Sequence, residues 1–413
     1  MNAKVKSEYD KAKTIIMHTP GEEIFFGTLQ GTAALFESKP IDRYKVTEEH
    51  NNYVNTLKKQ GIEVKLITDI LLDGTIDEKG AKKTGSELDK LVEFALKSVK
   101  YYYPIELNID ELKSLKNYKQ KTLEELHPKD LVKIILEKPE IKIKLSEEGN
   151  TNYIAESYKL NPVMNMHFLR DQQITTDKGI VIGKMNSTQR RAETEITKFA
   201  FEKLGLNIIC EIKGEGRLEG GDFIPCGEFA FIGQGLRTNA EGIKQLLENQ
   251  ALGYDEIAVV KDYFKNQEEM HLDTYFNIAG PNKAVILEDR VNHYNEQGKF
   301  VKANPEKKTT IDLYTLTNGT YVRAEKDIPF QDYLSKKGFK VEDNSLITLT
   351  KEEQLNYGIN FLTIDENKVV AVKGVSKNYL EKMNGIEVIE IPFKNFVLTS
   401  GAPHCAAQVT QRG

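Results

Sequence analysis

A short β-branched run, a turn, an amphipathic helix and a second β-branched run recur along this chain, and that order commits it to a mixed α/β body. Residues 13–18 (KTIIMH) read as a strand, 47–60 as a helix and 62–67 as the next strand. The order returns as a strand at 179–183, a helix at 191–205 and a strand at 207–212. It returns again as helix 239–250 before strand 256–260, and as helix 376–384 before strand 386–392. Ile196, Phe199, Ala200 and Leu204 form the expected apolar stripe of the 191–205 helix. Gly61, Gly205 and Gly385 each stand between a helix and a strand, where a glycine ends a helix with positive φ. The modules share an order but no literal repeat.

One stretch breaks the rhythm. Residues 75–152 are rich in Lys and Glu, and SELDKLVEFALKSV and DLVKIILEK within them are amphipathic helices. They read as a helical insertion in a single catalytic domain spanning 1–413. The segment 293–345 is polar and irregular and receives no assignment.

Composition narrows the class. The 413 residues are 39% hydrophobic and 29% charged, as in a globular protein, and the formal net charge of −5 offers no basic field for nucleic acid. The three cysteines, Cys210, Cys226 and Cys405, are too few and too far apart for a disulfide framework, and no CxxC metal pattern occurs. The opening MNAKVKSEYDKAK lacks an apolar core, and no run of 18 apolar residues follows, so the expectation is a cytoplasmic protein without a membrane partner.

Four clusters look out of place as structure: His167-Phe168-Leu169-Arg170-Asp171, Leu218-Glu219-Gly220-Gly221-Asp222, His271-Leu272-Asp273-Thr274 and Gly401-Ala402-Pro403-His404-Cys405. Two glycines between carboxylates let backbone approach a ligand closely. The spacing of His271 and Asp273 puts both on one face of an extended segment. Singly, each cluster has an ordinary explanation: an internal ion pair, a tight turn, a surface pair, a buried thiol. Jointly they suit chemistry at a guanidinium. That group is planar and cationic, so it needs carboxylates in a fork, and Asp171 and Asp273 can supply them. Its carbon is a poor electrophile, so a thiolate is the fitting nucleophile. A histidine can protonate departing ammonia and then activate water, if a carboxylate orients it.

FLRD, EGGD, HLDT and the C-terminal HC together resemble the arginine deiminase family of the guanidino-group-modifying (pentein) superfamily. Arg190-Arg191-Ala192-Glu193-Thr194 is similar to that family's RRxET, and MHTPGEE to its N-terminal strand end. The resemblance implies Cys405 as nucleophile, His271 as general acid and then base, Glu219 as its orienting partner, and Asp171 and Asp273 as the guanidinium clamp. Phe168, Asp222, Arg190 and Arg237 are its substrate-binding candidates, the two arginines for an α-carboxylate. The implied fold is a five-module pseudo-symmetric α/β propeller with the site on its axis. No metal or cofactor is implied. The partner is a small guanidino substrate, and self-association into a homo-oligomer stays open.

The chain departs from the family at the nucleophile loop. The family approaches its HC through an Arg-Gly-Gly-type sequence, whereas Ser400 stands here where the arginine belongs, and the tail after Cys405 differs. The expected reaction is L-arginine and water to L-citrulline and ammonia. Agmatine, methylated arginine, citrulline, conversion of arginine on to ornithine, and amidino transfer are the alternatives for the same residues. A binding protein that kept the clamp and lost turnover is the alternative outside enzymes, and retention of Cys405, His271 and Glu219 together argues against it.

Overall fold

The strand Ile180–Ile182 (IVI) is buried on both faces and pairs antiparallel with Gln173–Thr175. A helix, Arg191–Lys203, follows and turns Ile196, Thr197, Ala200 and Phe201 inward. Phe199 and Leu204, expected in the apolar stripe, are only half-buried. Gly205 ends the helix at φ 65°, and Ile208–Glu211 returns parallel to Ile180–Ile182. Gly61 and Gly385 likewise take positive φ, at 79° and 84°. The result is a three-stranded sheet with one antiparallel pair and one helical crossover.

The computed structural model describes residues 2–29, 40–147, 152–294, 300–302, 304 and 309–413. Three further sheets repeat that connectivity. In one, Phe223–Cys226 and Phe229–Gln234 pair antiparallel, the helix Ala240–Glu248 follows, and Glu256–Asp262 runs parallel to Phe229–Gln234. In the next, Phe276–Gly280 pairs with Lys283–Leu287, and Leu346–Leu349 returns parallel after the helix Phe330–Lys336. In the last, Leu362–Asp365 pairs with Lys368–Val372, and Glu387–Ile391 returns parallel after Tyr379–Lys382. The two ends of the chain make a fifth sheet, in which Ala12–Met17 lies between Glu63–Leu66 and the antiparallel Gln408–Arg412. Among the described residues no sheet closes on itself.

Residues 293–345, left unassigned from sequence, hold a long hairpin. Thr309–Thr317 and Thr320–Pro329 pair antiparallel and extend the sheet of Glu256–Asp262 to five strands. Asn318 and Gly319 turn it with φ of 50° and 78°, the pair of positive angles a tight hairpin needs.

The chain divides into two compact units. One comprises Met1–Pro20, Gly31–Lys65 and Met166–Gly413, and holds the five sheets. The other comprises Gly21–Gln30 and Leu66–Asn165. Within it lie the helices Ser86–Ser98, Ile109–Glu125 and Pro128–Glu137. The stretch expected to be a helical insertion also forms a sheet: Lys100–Tyr102, Glu140–Leu145 and Tyr153–Lys159 pair in that order. EIKIKL alternates apolar and charged residues, which is a strand period rather than a helical one. Among the described residues no helix is long and apolar enough to cross a membrane.

Candidate active site

The last sheet strand leads into a turn, Phe396–Thr399, and Ser400 then reverses the chain in the left-handed region at φ 71°. Gly401 comes next. A Cβ there would lie 2.3 Å from the Phe168 ring, so this position admits no side chain. Pro403 opens a four-residue helix, Pro403–Ala406, which carries Cys405. The thiol is buried, with Sγ 3.2 Å from Asn360 Oδ1 and 3.9 Å from Asp273 Oδ2. Burial pushes its pKa well above the ordinary thiol value, and the charges of Asp273 and Asp171 add to the push. Asp273 thus lies beside the sulfur, and the charge of Asp171 is close enough to act on it.

The FLRD cluster is tied to this helix: Arg170 N–H donates to Cys405 O at 3.0 Å. Asp171 Oδ2 accepts from Arg190 Nη1 at 2.7 Å, while Oδ1 has no hydrogen-bond partner and lies 3.8 Å from His271 Nδ1. The glycines of EGGD make room for protein, not for ligand as expected. A Cβ on Gly220 would sit 1.9 Å from Arg170 O, and one on Gly221 would sit 2.8 Å from the His271 ring. Glu219 can thus reach His271 Nε2, whose N–H it accepts at 2.9 Å. Its other oxygen takes the Asn186 N–H at 2.8 Å. Burial opposes the Glu219 charge, but His271, Arg190 and Arg237 together bring its pKa down to about 2. Burial also opposes a charged His271. Asp171, the Glu219 bond and Asp222 outweigh that and raise the imidazole to about 9. Asp222 itself is pushed up to about 7 by burial and accepts the Leu272 N–H at 2.9 Å, so it anchors the His271 loop.

His271 and Asp273 do not share a strand face. A 3-10 turn, Leu272–Thr274, separates them, and they serve different partners. Asp273 Oδ2 accepts from His404 Nδ1 at 2.6 Å, and its Oδ1 has no hydrogen-bond partner. Two residues expected to bind substrate diverge. Arg190 is committed to protein carboxylates, with Nη1 on Asp171 and Nε and Nη2 on Glu193. Arg237 is buried and meets only the Met270 sulfur at 3.5 Å; among the described residues no carboxylate pairs with it, and its Nε has no partner. Phe168 is buried between His167 and Phe396, at 4.1 and 5.8 Å between ring centres. Cys210 is half-exposed on its strand, and Cys226 is buried in Phe223–Cys226.

Three residues escaped the sequence. Asn360 accepts from Cys405 N at 3.3 Å as well as from the thiol, and donates to Asp273 O at 3.2 Å. His404, noted only as the neighbour of Cys405, holds Asp273. Its Nε2 takes an N–H of Arg170, with Glu8 Oε1 3.3 Å away. Glu8 in turn accepts from Arg170 at 2.7 Å and Arg412 at 2.9 Å. These two cations hold the Glu8 carboxyl well below the usual carboxylate range despite burial.

Ligand atoms of Asp171, Glu219 and His271 lie within 4.8 Å of one another, close enough to hold a divalent ion. Arg190 on Asp171 and the affinity of His271 for a proton both oppose one. The arrangement suits an organic cation better: two buried carboxylates each with an unpartnered oxygen, one beside the thiol and the other with His271 Nδ1 3.8 Å away.

Comparison with known proteins agrees. The family model described as arginine deiminase matches residues 34–412. An arginine deiminase of Oenococcus oeni is 25% identical over 428 residues, covering 99% of this chain and 97% of the relative. One of Streptococcus agalactiae serotype V is 26% identical over 440 residues, with the coverage again 99% and 97%. Among solved structures, the product-bound N-terminal domain of ArgZ, an arginine dihydrolase of the ornithine-ammonia cycle in cyanobacteria, superposes with a TM-score of 0.55 at 12% identity and 97% coverage of both chains. DDAH from Pseudomonas aeruginosa, complexed with citrulline, gives 0.52 at 16% identity, covering 96% and 99%. These two likenesses speak to the fold.

Proposed function

As this chain belongs to the arginine deiminase family and is an amidine-hydrolysing enzyme, we propose that it converts L-arginine and water to L-citrulline and ammonia. One observation carries the choice of a guanidinium: Asp171 and Asp273 each keep a buried oxygen without a hydrogen-bond partner, with Asp273 beside the Cys405 thiol and the charge of Asp171 acting on it. A planar cation between them satisfies both. Arg237, buried without a carboxylate, supplies the reason for an α-carboxylate at the far end of the substrate. Agmatine lacks that group.

The chemistry follows from charge. Burial, and after it the charges of Asp273 and Asp171, hold the thiol pKa up in the free enzyme. A guanidinium between the two aspartates offsets their part of that effect, so on substrate binding the thiol gives its proton to solvent and the thiolate attacks. The sulfur of Cys405 bonds to the guanidinium carbon. His271, protonated and steadied by Glu219, gives its Nδ1 proton to the departing nitrogen, and ammonia leaves as the C–N bond breaks. A thiouronium remains on Cys405. Neutral His271 then takes a proton from water. The hydroxyl bonds to the carbon, the C–S bond breaks as the hydroxyl proton passes to the departing sulfur, and citrulline is released with the thiol restored. In the same reading the four sheets of shared connectivity and the sheet made by the two chain ends are the modules of a pseudo-fivefold propeller around this site. The three free cysteines suit the reducing cytoplasm.

The test is product analysis by mass spectrometry on a panel of arginine, agmatine, methylated arginine and citrulline. Citrulline and ammonia in equal amounts from arginine are expected. Ornithine as the product, or turnover of agmatine in preference to arginine, contradicts the proposal.

A further inference from the structure

The helix Arg43–Lys59 buries one stripe: Val46, Glu49, His50, Tyr53, Val54 and Leu57. Half of those six are polar, which an apolar seam alone does not call for. The polar groups Glu49 and Tyr53 end on the loop that delivers Cys405. Glu49 Oε2 accepts the backbone N–H groups of Asn395 and Phe396, each at 2.8 Å, and Oε1 accepts from Asn395 Nδ2 at 2.7 Å. Tyr53 OH donates to Pro403 O at 3.0 Å. Between these points the His50 ring stacks on Phe396 at 6.0 Å, and Tyr53 meets Phe393 edge-on at 5.5 Å. One helix thus grips the loop where its turn begins and again on the first residue of the helix that carries the thiol.

We infer that the helix Arg43–Lys59 is the positioning element of the nucleophile, with Glu49 and Tyr53 as positioning residues that act through the loop and never on substrate. The inference rests on Cys405 being the nucleophile. A four-residue helix has too few internal hydrogen bonds to set its own place, and the loop before it passes through Ser400 in a left-handed conformation. Its register must come from outside. Glu49 satisfies two backbone donors at the start of the turn, and Tyr53 fixes a carbonyl two residues from the sulfur. Without either hold, the thiol drifts from Asn360 and Asp273, while Asp171, Arg237 and His271 stay in place. Water also reaches the thiol, whose ionisation burial suppresses.

Tyr53→Phe tests this, since it removes a single oxygen. Tyr254→Phe is the control: Tyr254 OH makes the same kind of buried bond, to Val5 O at 2.6 Å, away from the loop. With L-arginine, Tyr53→Phe should lower kcat about 10-fold with KM within about 2-fold, short of the roughly 100-fold that a 1 Å misplacement costs. Independently of any substrate, iodoacetamide should modify Cys405 about 3-fold faster at neutral pH in Tyr53→Phe, as a lower thiol pKa requires. Peptide mass analysis should show the buried Cys226 unchanged. Tyr254→Phe should match the parent in every respect. Alkylation of Cys405 at the parent rate, a matching rise at Cys226, KM rising in step with falling kcat, or an equal fall in Tyr254→Phe each overturns the inference. Normal turnover by Cys405→Ser would instead remove the nucleophile reading beneath it.

Discussion

His404 Nδ1 lies 2.6 Å from Asp273 Oδ2, so the residue before Cys405 holds the carboxylate that lies beside its thiol. Both groups are fully buried, and the bond leaves Asp273 only Oδ1 to offer a ligand. His404→Phe keeps the ring and removes this donor. A hydrogen bond to a buried charge contributes about 1.5–3 kcal/mol, so kcat/KM should fall roughly 10- to 150-fold. Steady-state kinetics checks this, and parent-like kcat/KM would show that the Asp273 carboxylate keeps its place without the His404 bond.

Arg237 and Arg190 should separate by substrate. Arg237→Ala removes a buried cation that no carboxylate pairs with among the described residues, and should weaken arginine by about 10-fold or more while sparing agmatine. Arg190→Ala leaves Asp171 and Glu193 unpaired inside the protein. It should lower stability by about 3–5 kcal/mol and impair both substrates alike. Competition assays with the two guanidino compounds, alongside denaturant unfolding, distinguish these outcomes. Equal losses for both substrates in Arg237→Ala would make that residue structural.

Asp273→Asn should lower the Cys405 thiol pKa, because the aspartate charge raises it in the parent. Alkylation by iodoacetamide at neutral pH should therefore be faster in the variant, while turnover falls with the loss of half the clamp. A variant thiol that reacts more slowly than the parent's would mean that its high pKa has another source.

The Glu219–His271 pair should stabilise the fold in a defined pH window. The folded His271 pKa of about 9 lies above its ordinary value, so its contribution is complete below about pH 6.5 and is lost as pH rises through 9. Glu219, lowered to about 2, contributes above about pH 4.5 and loses that contribution as pH falls through 2. The thermal midpoints of the parent and His271→Gln should therefore differ more near about pH 6 than near about pH 10. A gap that does not change with pH would place His271 outside an ion pair.

Much of the site was legible because its chemistry sits in short clusters. FLRD, EGGD, HLDT and HC are four local signals, and the fold links them: FLRD to the Cys405 carbonyl, HLDT to its thiol through Asp273, and EGGD to HLDT through Glu219 and His271. What escaped were single residues whose meaning is purely spatial. Glu8 lies 396 positions from His404, and Asn360 lies 45 from Cys405, with no motif around either. The extended reading of HLDT failed because Asp222 captures the Leu272 N–H and the chain closes a 3-10 turn there. The hairpin at 309–329 did carry a sequence signal, the Asn318-Gly319 pair between two β-branched runs, but the polar outer strand hid it: from Arg323 to Lys326 its side chains are exposed.

The central claim is a covalent bond between Cys405 and the guanidinium carbon. Quenching the protein with acid during turnover of L-arginine and mapping its peptides by mass tests it most directly. The account predicts an adduct on the peptide bearing Cys405, and none on those bearing Cys210 or Cys226. An adduct on Cys226 with Cys405 unmodified, or turnover undiminished in Cys405→Ser, would contradict it.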